Sequence, residues 1–205
     1  MTELIMNPYT LTLLRHGEID HQGLLTGQRD VPLTTEGGAA MDRSWQQIAA
    51  LAPVSSMATS PLARCREFAV RRALAASVPL KVDERFAEFD FGDWDGRAQS
   101  ELATAEPHWE QAWQTGKLAL PGGESPERFH TRVLSGFSEW IAASRGCHRV
   151  LVTHGAVITT LLAELLDMEL AVARLITVQP GGFVQLSILQ AHPAYLMRLD
   201  APLPG

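Results

Sequence analysis

Thr10-Leu11-Thr12-Leu13-Leu14-Arg15-His16-Gly17-Glu18 passes from an apolar, β-branched run to a charged loop within a single step. The first five residues read as a short buried strand, and Gly17 stops it. A strand that delivers Arg and His at its carboxyl end is the usual way for an α/β sheet to supply a binding cleft, because separate loops converge there. The rest of the chain repeats this design. Thr34 or Thr35 caps a helix running to about Ala50, Val54 to Thr59 reads as a strand, and Ser60-Pro61 opens a helix through Ala76. Leu80 to Val82 is a further candidate strand. Ser125 begins a helix with Phe129, Val133, Phe137, Trp140 and Ile141 at helical spacing. Val150 to Thr153 is a strand followed by a helix to about Leu166, and Leu175 to Val178 and Phe183 to Leu189 read as two more strands. Strands alternating with helices predict a three-layer α/β/α sandwich around a mostly parallel sheet.

The 205 residues suit one domain, 1–205. Residues 84–123 change character: short helical pieces, acids and glycines surround Trp94, Trp109 and Trp113, as in a helical lid insertion. The tail Ala201 to Gly205 reads as frayed. The chain is 46% hydrophobic and 20% charged, which excludes disorder over most of its length. A formal charge of −6 disfavours broad capture of nucleic acid. Val150 to Leu166 is the most apolar stretch, but Thr153, His154, Thr159, Thr160 and Glu164 make it a poor membrane span. No basic start and apolar run mark Met1 to Thr10 as a secretory signal. Two cysteines, Cys65 and Cys147, build no disulfide framework, so a cytoplasmic setting is the simplest reading.

Three predicted strand ends carry reactive groups: Arg15-His16, Ser60 to Arg64, and His154-Gly155. Two arginines and two histidines in one cleft make a cationic pocket suited to a phosphoryl group, whose spread charge needs several donors. His16, Glu18, Asp20 and His21 lie close together, but there is no HExxH, no cysteine pair and no further spaced ligand, so neither metal nor cofactor is expected. His21, His108, His130, His148 and His192 read as structural or exposed, and Arg66, Arg71 and Arg72 as a solvated helix face.

Leu14-Arg15-His16-Gly17-Glu18 resembles the first motif of the histidine phosphatase superfamily, the phosphoglycerate mutase-like enzymes. Ser60-Pro61-Leu62-Ala63-Arg64-Cys65 resembles its second arginine motif, Glu88-Phe89-Asp90-Phe91-Gly92-Asp93-Trp94 its acid motif, and Val152-Thr153-His154-Gly155 its second histidine motif. Order and spacing agree over roughly residues 10 to 190. The resemblance implies that His16 accepts the phosphoryl group, that Arg15, Arg64 and His154 hold its oxygens, and that Glu88 donates the proton, with Glu84, Asp90 and Asp93 as lesser candidates. Thr26-Gly27-Gln28 resembles a pocket-lining loop, and Gly155 would offer a backbone donor at a strand-to-helix turn. Gln22 stands where the family pattern places Asn, so the Gln22 to Gln28 loop departs from that pattern.

Pro121-Gly122-Gly123-Glu124-Ser125, with Phe129 and Arg132-Val133, resembles the alpha-ribazole phosphatase subgroup, as do Gly27 to Leu33 and Val178-Gln179-Pro180-Gly181-Gly182. That resemblance implies a small phosphate ester as partner, alpha-ribazole 5′-phosphate of cobalamin assembly, with Trp109 and Trp113 either stacking on its flat base or packing as core. A broad-specificity phosphatase is the alternative, ahead of a phosphoglycerate mutase or a noncatalytic phospho-ligand module. A homodimer is compatible with the sequence and is not specified by it.

Overall fold

The computed structural model describes residues 8–105, 107–114, 120–189 and 192–202. Strand β1 is Tyr9–Arg15, β2 Ser56–Thr59, β3 Leu80–Val82, β4 His148–Thr153, β5 Phe183–Ile188 and β6 Tyr195–Asp200. They form one sheet in the order β3-β2-β4-β1-β5-β6, in which β3, β2, β4 and β1 pair in parallel and β5 runs antiparallel to both β1 and β6. The predicted α/β/α sandwich with a mostly parallel sheet is therefore present.

Alternation along the strands sends side chains to two separate cores. Leu14, Val150, Val152 and Phe183 pack with Met41, Trp45 and Ile48 of helix α1 (Thr35–Leu51) and Phe68 and Ala69 of α2 (Ala63–Ala76). Leu11, Leu13, Leu151 and Val184 point the other way. They meet Val133, Phe137 and Trp140, whose helix also carries the cavity-facing residues described below, and Val157, Ile158 and Leu161. Two helices begin where the sequence places a cap: the Thr34 hydroxyl accepts from the Gly37 amide, and the Ser125 hydroxyl from that of Arg128, with Pro126 in the first turn, whereas α2 starts at Ala63, past the expected Ser60-Pro61, with Leu62 as its N-cap and no side-chain cap.

The 84–123 segment holds two 3₁₀ turns, Glu84–Phe86 and Gly92–Trp94, and two short helices, α3 (Gln99–Ala105) and α4 (Trp109–Gln114). Trp94 is buried, with Trp109 edge-on at 6.5 Å, so Trp109 is part of the packing. The side chain of Trp113 and residues 203–205 of the expected frayed tail lie outside the described residues. Helices α5 (Pro126–Ala143) and α6 (Gly155–Leu165) cover one face of the sheet, and the short α7 (Leu170–Ala173) follows α6.

Leu175 to Val178 does not form the expected strand. Leu175 is exposed, while Ile176 and Val178 line a cavity and the Val178 carbonyl accepts from Arg15, so this apolar run builds a wall. The sheet instead gains β6, an edge strand whose Tyr195, Leu196, Met197 and Leu199 are all exposed and which therefore shows no alternating pattern. Arg71 and Arg72 also depart from a purely solvated face, because both bind the Asp42 carboxylate and Arg72 sits over Trp45. Among the described residues no helix is long and apolar enough to cross a membrane.

Candidate active site

β1 and β4 are neighbours in parallel register, with Arg15 opposite Thr153, so the residues that follow them, His16 and His154, emerge side by side. The His16 amide donates to the Thr153 carbonyl at 2.9 Å and its own carbonyl accepts from Gly181 at 2.9 Å. Gly17 packs directly on Gly37 at the start of α1, where a Cβ on either would collide with backbone. That close approach requires glycine at both positions.

His16 is buried, and its Nδ1 lies 2.7 Å from the Gly17 carbonyl oxygen. A carbonyl only accepts, so Nδ1 carries the hydrogen and Nε2 keeps its lone pair. Burial first, then the Arg64 guanidinium and more weakly that of Arg15, hold the imidazole pKa down at about 3 despite the Gly17 hydrogen bond. The ring is thus neutral over the physiological range. His154 is fully buried, its ring centroid 5.1 Å from that of His16 and tilted by 62°. Its Nε2 hydrogen-bonds with the Ser60 hydroxyl at 2.6 Å, and burial, followed by the charge His16 would carry once protonated and by those of Arg64 and Arg15, pushes its pKa well down.

Arg15 donates from Nη1 to the Val178 carbonyl at 2.8 Å. Arg64, almost wholly buried, donates from Nη1 to the Arg29 carbonyl at 2.7 Å and from Nη2 to the Gly27 carbonyl at 2.5 Å. The Nε of each is buried without an acceptor among the described residues. Buried guanidinium donors left over in this way are costly unless an oxyanion takes them.

Glu88 is partly buried. Its Oε1 accepts from the Phe89 amide at 3.0 Å and its Oε2 from the Ala156 amide, in the first turn of α6, at 3.4 Å. Burial raises its pKa, outweighing the amides and the positive charge of Arg15 and Arg64 that favour the carboxylate. The Ala156 amide is thus taken up by Glu88, and Gly155, which lines the same cavity, lies against the Arg15 guanidinium, where a Cβ would stand 3.5 Å from Cζ. Of the lesser acids, Asp90 is spent on a turn, accepting from the Gly92 amide at 2.9 Å, and Glu84 is exposed.

The 22–28 segment divides. Gln22, at φ 51°, sits with Gly23 at the exposed tip of a turn closed by a 2.8 Å bond from the Leu24 amide to the His21 carbonyl. Thr26 is partly buried and donates to the Leu24 carbonyl at 3.4 Å. Gly27 is buried against Phe89 and Phe91, and the Gln28 side chain donates to the Glu88 carbonyl at 3.2 Å. What organises this loop is Asp95, whose carboxylate accepts from the amides of Gly27, Gln28 and Arg29 at 3.1, 2.8 and 3.0 Å. Sequence reasoning passes over Asp95; its position directly after the acid motif was the available signal. It also passes over the roles of Glu124 and Arg132, which hold the backbone around Glu88.

A cavity of about 390 Å³ opens beside Arg15 and Glu88. Phe89, Phe91, Phe129, Ile158, Leu170 and Ile176 form its apolar wall, with Thr159, His130 and Arg174 as polar groups. His130 thus faces the site more closely than its sequence suggests, whereas Trp109 is not among the described lining residues. His148 is structural, bridging Thr12 at 2.9 Å and the Ala52 carbonyl at 3.0 Å. Among the described residues no His, Cys, Asp or Glu cluster of three is arranged to hold a metal ion.

The family model of the histidine phosphatase superfamily (branch 1) matches residues 11–199. A bifunctional protein of Mycobacterium tuberculosis is 31% identical over 163 residues, 78% of this chain but 45% of its own length, so the chain spans less than half of that relative. The adenosylcobalamin/alpha-ribazole phosphatase of Salmonella typhimurium is 29% identical over 198 residues, covering 90% of this chain and 98% of the relative. Among solved structures, a mycobacterial glucosyl-3-phosphoglycerate phosphatase superposes with a TM-score of 0.80 at 26% identity, over 94% of this chain and 97% of the other.

Proposed function

The chain belongs to the histidine phosphatase superfamily, and from that premise we propose that it hydrolyses a small phosphomonoester through a phosphohistidine formed on His16. The observation that carries this reading is the Nδ1 bond to the Gly17 carbonyl, which fixes the tautomer with a bare Nε2 in a cationic cleft. Nε2 attacks phosphorus and the bond to the ester oxygen breaks. Glu88, kept protonated more readily by its burial, gives its proton to the departing alkoxide. Water then attacks the phosphohistidine and passes a proton to the Glu88 carboxylate, the P–N bond breaks, and inorganic phosphate leaves. Arg15, Arg64 and His154 hold the three phosphoryl oxygens through both steps, and Gly155 and the Thr26-Gly27-Gln28 loop border them. Gln22, at its exposed turn, has the weakest claim to a substrate contact. This reading takes residues 1–205 as one catalytic domain with 84–123 as its lid, and needs no metal.

The substrate we favour is alpha-ribazole 5′-phosphate. The apolar wall of Phe91, Phe129 and Leu170 suits a flat aromatic base, and the Salmonella relative named for that activity aligns over nearly its whole length. Arg174 in the same cavity favours a second reading, a phosphatase for esters with an acidic leaving group. Phosphate release from alpha-ribazole 5′-phosphate, 3-phosphoglycerate and aryl phosphates, compared as kcat/KM, separates the two. Mass analysis after an alkaline quench should find the phosphoryl group on His16. Glu88→Gln should slow turnover of an alkyl phosphate by roughly 10² to 10⁴, the scale of a proton-transfer contribution. An unchanged rate, or no label on His16, would overturn the corresponding role.

A further inference from the structure

Glu88 lies in a loop rather than in a helix or strand, yet general acid catalysis needs its carboxyl group placed within a few tenths of an ångström. The ion pair of Glu124 and Arg132 supplies that placement. Arg132 donates from Nε and Nη2 to the Glu124 carboxylate at 2.9 and 2.6 Å, a bidentate fork. Its remaining hydrogens go to three carbonyls of the segment that ends at the acid: Nη1 to Arg85 at 2.8 Å and to Ala87 at 2.9 Å, and Nη2 to Glu88 at 2.9 Å. From the far side of Glu88, the Asp90 amide donates to the Glu124 Oε1 at 2.8 Å. The backbone is thereby gripped immediately before and after the residue. Glu124 is buried at 8% exposure, and Phe129 lies under the guanidinium at 4.7 Å, so solvent does not compete freely for these bonds.

We infer that Glu124 and Arg132 are positioning residues for proton transfer by Glu88, setting the reach of its carboxyl group without touching the substrate. This rests on the role given above to Glu88. Lysine at 132 keeps the charge but lacks the planar fork that reaches a carboxylate and three carbonyls together. Its loss should therefore appear where a leaving group needs protonation and fade where it does not.

The test uses kcat/KM, which reports the first phosphoryl transfer, for an alkyl phosphate and for 4-nitrophenyl phosphate, whose leaving group departs as a stable anion. Arg132→Lys should lower the alkyl value by about 10-fold to 10²-fold, the scale of a misplaced catalytic group, and the aryl value by less than about threefold. Glu124→Gln, which keeps the side-chain shape, should show the same asymmetry if Arg132→Lys proves too unstable to purify. Equal losses on both substrates, or no loss, in a folded variant would overturn the inference. Glu88→Gln, measured alongside, isolates the premise: asymmetry in Glu88→Gln without asymmetry in the pair refutes the clamp alone, and no asymmetry in Glu88→Gln refutes the acid.

Discussion

His16→Asn should make the protein less sensitive to acid. Asparagine keeps a side-chain N–H that can reach the Gly17 carbonyl, so the variant removes the titration with little else. In the unfolded chain His16 takes up a proton near pH 6.5, whereas in the folded protein burial and the Arg64 charge delay this to about 3. The folded pKa is depressed, so the folded state binds fewer protons in between. The stability associated with a neutral His16 is complete above pH 6.5 and is lost as pH falls toward 3. The slope is about 1.4 kcal/mol per pH unit for one proton, which integrates to about 3 kcal/mol between about pH 7 and pH 4. Relief of charge repulsion at His154, whose pKa His16 helps to depress, acts in the same direction. Urea unfolding of both proteins at half-unit pH steps gives the difference directly. Wild type should lose stability relative to His16→Asn by that amount across the window, and the two should run parallel above about pH 7. Curves parallel down to about pH 4 would show that His16 titrates alike in both states, and the neutral-nucleophile argument would fall with them.

Three other perturbations have defined outcomes. Gly27→Ala places a Cβ against the Phe89 carbonyl and 2.7 Å from Phe91 Cδ2, and should cost about 1–3 kcal/mol in denaturant unfolding as overpacking does. Asp95→Ala leaves the amides of Gly27, Gln28 and Arg29 without their acceptor; a loss of about 1–3 kcal/mol with a raised KM is expected, and an unchanged KM would separate this loop from substrate binding. Dialysis against EDTA should leave turnover intact, whereas loss restored by a divalent ion would replace the metal-free mechanism.

The sheet was legible wherever strands are buried on both faces, because β1, β2 and β4 are short apolar runs with abrupt polar ends. It was legible at one edge, β3, which matches the expected Leu80 to Val82, but not at the other. Tyr195–Asp200 becomes a strand through its pairing with β5, a long-range contact that leaves no periodic mark on residues exposed on both sides. Leu175 to Val178 fails in the opposite sense, since its apolar residues serve a cavity wall rather than a sheet face. At the candidate site, the motifs beside strand ends and turns name Arg15, His16, Arg64, Glu88 and His154, and the structure brings these five near one another. Asp95, Glu124 and Arg132 were not readable, for they act on main-chain groups up to 68 positions away, and a side chain that binds backbone carries no complementary residue to find.

The spacing of His16 and His154 is inherited from the ladder between β1 and β4. Adjacent strands lie about 4.8 Å apart, and the two rings, one residue beyond paired ends, stand 5.1 Å apart. The two rings are consequently anchored on the sheet, whereas Leu170 lies on the short α7, and Phe91 and Phe129, both buried, come from the 84–123 segment and from α5. Under the proposed function, such a division would let ester preference change through substitutions at the wall positions Phe91, Phe129 and Leu170 while the strand ladder keeps His16 and His154 in place.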